Sequence, residues 1–155
     1  MPEGFLAPRG NLLTDFVFFC NLIAPVWALI AAGSARRGEH ARHMRQQLSL
    51  WLLMFINLLL LEGYIRISGG SGSLMAGSPY AGTALIRVAF TLHIGPAVAT
   101  YLLWAGLVVV TYRRRSAPGL AGFSARHALL GKVVIGGLIW TALSACLLYY
   151  LTFWA

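Results

Sequence analysis

The chain has 155 residues, of which 59% are hydrophobic and only 10% are charged, and its mean hydropathy is +0.74. A soluble domain carries about 25% charged residues, so this composition excludes an ordinary water-soluble fold and points to an integral membrane protein of one domain. The net charge of +8 does not indicate nucleic acid. Nine of the twelve basic residues sit in two short segments, Arg36 to Arg45 and Arg113 to Lys132, which is the pattern of loops kept on one side of a membrane.

Residues Met1 to Gly10 contain two prolines and no hydrophobic period, and are expected at the interface or disordered. No basic region precedes the first apolar stretch, so that stretch reads as a retained span, not a cleaved signal peptide. The first span covers residues 12–32. It carries Asp15 near its start and Pro25 past its middle, where a kink is expected. Residues 33–46 form a short basic segment and are predicted to face the cytoplasm. The second span covers 48–67, with Glu62 and Arg66 four residues apart on one helix face. Residues 68–82 are rich in glycine and serine and read as a flexible outer connection. The third span, 84–112, holds Arg87, His93 and Pro96 and runs into an arginine cluster. Residues 113–127 form the second cytoplasmic loop. The fourth span, 129–153, follows His127, has Lys132 in its first turn, and ends in Tyr149, Tyr150, Phe153 and Trp154, an aromatic belt.

The expected architecture is therefore all-α, an integral membrane four-helix up-down bundle with both termini outside. Cys20 and Cys146 lie in apolar stretches and read as small buried hydrophobes. No phosphate-binding glycine loop and no nucleophile elbow is present.

Function starts from the ionisable groups inside the spans, because each is costly in lipid unless it faces a partner. His93 lies twenty residues before Arg113, about 30 Å along a helix, which places it in the outer half of the membrane. Glu62, Arg66, Arg87 and Asp15 fall in the same slab. His93 with Glu62 and Asp15 offers one imidazole and two carboxylates, a set suited to a transition metal such as iron, manganese or zinc more than to copper(I). The alternatives are structural: Asp15 as an acid in a helix's first turn, and Glu62–Arg66 as an internal ion pair with the arginine snorkelling outward. At the opposite end, His40 and His127 flank spans two and four and could face each other as haem ligands, while His43 reads as a solvated loop histidine.

Several spaced positions carry a family resemblance. His40 is followed four residues later by Met44. The run ending span two closes on Tyr64 and Arg66, and His93 lies in an apolar context in span three. In span four, His127 is followed by Lys132 at +5, Ser144 and Ala145 near +17, and Tyr149 at +22. Over about residues 37–150 this pattern resembles a small four-helix bacterial membrane family of unknown function that includes CtaM, an assembly factor for haem–copper cytochrome oxidases. Gly136 stands where that family has a proline, and Glu62 where an uncharged residue is expected. The resemblance implies the bacterial inner membrane, oxidase subunits as partners, and His40, His93 and His127 as shared histidines.

Three functions follow as expectations. The first is a non-enzymatic accessory or assembly factor for a haem–copper oxidase, with a metal at the outer polar cluster. The second is an electron-transfer protein, histidine-ligated to haem or linked to quinone. The third is a small enzyme or transporter relaying protons through His93 and the outer carboxylates.

Overall fold

Asn11 starts the first helix. Its side-chain oxygen accepts the N–H groups of Leu13 and Thr14, both at 3.0 Å, and the Thr14 hydroxyl accepts the Asn11 N–H in return. This reciprocal cap satisfies donors that a helix start otherwise leaves open. The structure, a computed structural model, describes residues 3–114 and 121–155. In chain order the helices are α1 (Leu12–Arg36), α2 (His40–Ile67), the one-turn α3 (Ser71–Leu74), α4 (Ala84–Arg114) and α5 (Ala121–Tyr149). α5 ends in a turn of π-helix, Tyr150–Trp154. The described residues contain no strand, only an isolated bridge between Glu3 and Asn11. α1, α2, α4 and the stretch Ala125–Trp154 are each long and apolar enough to cross a membrane.

The helices outrun the predicted spans at their basic ends. Hydropathy marks only the stretch that lipid can cover, while backbone hydrogen bonding continues until the chain must turn. Most of the expected loop 33–46 is therefore helical, and the connection is only Arg37, Gly38 and Glu39. Gly38 adopts φ 78°, a left-handed conformation that favours glycine. Glu39 sits between Arg37 Nε at 2.8 Å and Arg42 at 3.1 Å. The hydrogen bond from Arg37 and the charge of both arginines hold its carboxyl below the usual carboxylate range. The second predicted loop, 113–127, is helical at both ends, and residues 115–120 lie outside the described residues.

Two segments expected to be loose are fastened. The connection 68–82 contains α3, and Ser78 within it is buried, its hydroxyl donating to the Leu151 carbonyl at 2.5 Å. The N-terminal segment folds back over the bundle, where Phe5 and Leu6 bond to Asp15 of α1.

α4 packs mainly on α5, α1 on α2, and α1 on α5, whereas α2 and α4 meet over a short stretch. That stretch is defined by Trp104 donating to Gln47 at 2.9 Å and by Tyr101 donating to the Trp51 carbonyl at 3.0 Å. The close α4–α5 approach depends on Gly137, where a Cβ would collide with Thr100 Oγ1. Small residues allow such contact between membrane helices. One buried cluster joins Cys20, Ala24, Leu50, Met54, Trp104 and Leu138. A second joins Ile86, Ala89, Leu148 and Leu151, with Met75 and Tyr80 of the connection against it.

Candidate functional site

His93 lies within α4, half-buried, and its Nδ1 is 2.8 Å from the Ser144 hydroxyl on α5. Ser144 in turn reaches the Trp140 carbonyl at 2.8 Å. A serine whose proton goes to that carbonyl must receive the His93 bond, which puts the imidazole hydrogen on Nδ1. One turn of helix away, Pro96 has no N–H to give the Leu92 carbonyl. The Trp140 indole N–H fills that place, at 2.8 Å. Pro96 and His93 therefore both lock α4 to α5 through polar bonds made in an apolar setting.

Asp15 is fully buried, at 0% exposure. One carboxylate oxygen accepts the backbone N–H groups of Phe5 at 2.6 Å and Leu6 at 2.9 Å, and the other accepts the Tyr149 hydroxyl. Gly4 and Gly10 leave room for this carboxylate, since a Cβ at either would stand within 2.8 Å of it. Asn11 donates from its side chain to the Tyr64 hydroxyl at 2.7 Å. The Arg9 side chain reaches the carbonyls of Thr152 and Ala155, and the Arg9 N–H reaches that of Phe153 at 3.3 Å. These are carbonyls that a helix end leaves without partners. Residues 3–10 of the segment expected at the interface or disordered thus form, together with Asn11, a cap tying α1, α2 and α5 together.

Glu62 pairs with Arg66 at 2.5 Å, and both side chains are largely exposed. Arg87 is exposed on α4. The three proposed metal ligands are accordingly engaged by different partners: His93 by Ser144, Glu62 by Arg66, Asp15 by Tyr149 and the cap. No group of three or more His, Cys, Asp or Glu among the described residues could hold a metal ion. The residues present do not fit the metal centre expected from depth. Depth reports position along the membrane normal, whereas ligation also requires that the helix faces converge.

The other end also departs from expectation. His40 is exposed at the first position of α2. It is His43 that meets His127, with ring centroids 6.2 Å apart and planes at 89°. His43 Nδ1 lies 2.8 Å from the Ala31 carbonyl, which can only accept, so the hydrogen is on Nδ1. His127 Nδ1 lies 3.3 Å from the Thr111 hydroxyl. A loop over 33–46 would have no helical phase, whereas the helix that starts at His40 turns His43 inward.

The residues overlooked in the sequence are neutral ones, Trp140, Gln47, Tyr101 and Asn57, while Ser144 is noted there only as part of the family pattern. Asn57 is buried on α2, and its Oδ1 has no hydrogen-bond partner among the described residues. Charge is the signal that stands out inside an apolar span, and these polar groups carry none. No protein-family model, no curated protein and no solved structure matches the chain.

Proposed function

We propose that the protein is a non-enzymatic membrane scaffold that serves as an accessory or assembly factor, with subunits of a haem–copper oxidase as its partners. The observation that carries the scaffold reading is how the intramembrane polar groups are used. His93, Asp15 and Trp140 each join two parts of the bundle. Groups spent in this way rigidify a surface, and His93, Glu62 and Asp15 are each held by a different partner. The choice of oxidase rests alone on the spaced residues of the family resemblance: His40, Met44, Tyr64, Arg66, His93, His127, Lys132, Ser144, Ala145 and Tyr149. The arrangement proposed is an up-down bundle in the bacterial inner membrane, with the basic helix ends in the cytoplasm and both termini outside.

Deleting the protein should lower assembled oxidase in its host membrane, read as the haem a spectrum of that membrane, while oxidase transcripts stay unchanged. Unaltered oxidase would reject the partner and leave the scaffold reading standing. The purified protein should show no Soret band and less than one equivalent of metal; a Soret band that shifts on reduction would replace the scaffold with the electron-transfer reading. For orientation, Ser73→Cys lies on the exposed turn α3 and should react with an impermeant maleimide from the periplasm only.

A further inference from the structure

Between α4 and α5, at their basic ends, runs a groove of about 420 Å³. Its walls are apolar, with Leu102, Gly106 and Val110 on α4 and Leu130 on α5, and its polar end carries Arg114, Arg126 and His127. No carboxylate among the described residues lines it.

The dimensions match one half of a bilayer. From Leu102 to Arg114 is twelve residues of helix, about 18 Å at 1.5 Å per residue. One leaflet of hydrocarbon is about 15 Å thick, half of the roughly 30 Å core. A groove that begins at mid-membrane and ends at two guanidinium groups has the polarity of a single phospholipid: chain along the apolar wall, phosphate at the mouth. Guanidinium forks recognise phosphate oxygens in pairs, and basic pockets between membrane helices suit anionic headgroups. Gly106 sets the depth of the groove. A Cβ built there meets nothing within 4 Å, so the space beside it is open.

We infer that this groove is a binding site for an anionic phospholipid, its acyl chain lying against Gly106 and its phosphate held by Arg114 and Arg126. The site is separate from the His93–Ser144 and Asp15–Tyr149 contacts, and its existence does not depend on which protein the scaffold serves. It makes the α4–α5 face sensitive to the charge of the surrounding membrane.

The test uses the full chain, delipidated in a neutral detergent and mixed with equal amounts of phosphatidylglycerol and phosphatidylcholine. Retained lipid is counted by native mass spectrometry. A basic residue at a headgroup favours an anionic lipid by about fivefold, so two should favour it by about thirtyfold. The double variant Arg114→Gln/Arg126→Gln should bring the two lipids to equal retention, while Arg114→Lys/Arg126→Lys should keep most of the preference. Gly106→Leu should lower retention of both lipids without moving the thermal midpoint, because the added side chain enters open space. Arg36→Gln, in the other basic segment, should change nothing. Equal retention by the unaltered protein would overturn the site, as would a preference that survives the double glutamine variant. Displacement of the lipid by inorganic phosphate at comparable concentration would also overturn it, since it would show a bare anion site.

Discussion

Trp140 on α5 donates its indole N–H to the carbonyl of Leu92 on α4 at 2.8 Å, and that carbonyl is the one Pro96 deprives of its helical partner. A break in one helix is thereby repaired by its neighbour. Trp140→Phe should cost about 1 kcal/mol of stability in detergent, in the range of polar contacts between membrane helices. In a Pro96→Ala background the same change should cost less, since an alanine at that position returns the missing N–H. Equal losses in both backgrounds would show that the indole acts by packing alone.

Gly137 and Thr100 set the distance between α4 and α5. Gly137→Ala drives a methyl group into the Thr100 hydroxyl oxygen. The helices must separate, with an expected loss of about 1–3 kcal/mol. Thr100→Ala removes the two nearest atoms and should recover part of the loss in the double variant. Thermal unfolding of the four proteins measures both effects.

The Asp15 carboxylate organises the N-terminal cap. Asp15→Asn keeps the shape but puts an amide N–H₂ where an acceptor is needed, by the Tyr149 hydroxyl or the N–H groups of Phe5 and Leu6. A loss of about 1.5–3 kcal/mol is expected for bonds to a charged acceptor. The released segment should be cut by trypsin after Arg9 faster than in the unaltered protein. Tyr149→Phe should do the same to a lesser degree, because the backbone bonds to Asp15 remain.

The turn between α1 and α2 should respond to acid. The Arg37 hydrogen bond and the arginine charges lower the Glu39 carboxyl, so its protonation is harder in the folded state than in the unfolded one. The contribution is present above the ordinary Glu range and is lost as pH falls through the depressed folded value. The pair is exposed, so the effect is small. The thermal midpoints of the unaltered protein and Glu39→Gln should differ near neutral pH and converge in acid. A gap that persists in acid would assign the difference to something other than this ion pair.

The sequence is a good guide to the helices and a poor one to their faces. Apolar length locates four helices able to span a membrane, because burying twenty residues in lipid leaves a compositional mark that no tertiary contact can hide. The Glu62–Arg66 pair is legible from its spacing of four, which fixes geometry locally. The grouping of His93 with Glu62 and Asp15 is not, because three helices can share a depth while pointing in different directions. His43 is easily discounted because a charged, glycine-containing segment reads as loop, yet the turn is made at Gly38 and helix resumes at His40. The Asp15 cap depends on residues far apart in the sequence, from Phe5 to Tyr149, a pairing that no local pattern announces.

The uneven packing of the four helices bears on how the chain enters the membrane. The broadest contacts are between helices adjacent in sequence, α1 with α2 and α4 with α5, and α2 barely meets α4. Each pair can complete its own interface as a hairpin soon after synthesis, with little loop entropy to overcome. The seam between α1 and α5 closes only when α5 has emerged, and Tyr149 then reaches Asp15 across 134 residues of chain. The cap therefore spans both hairpins, and it cannot form before the two have met.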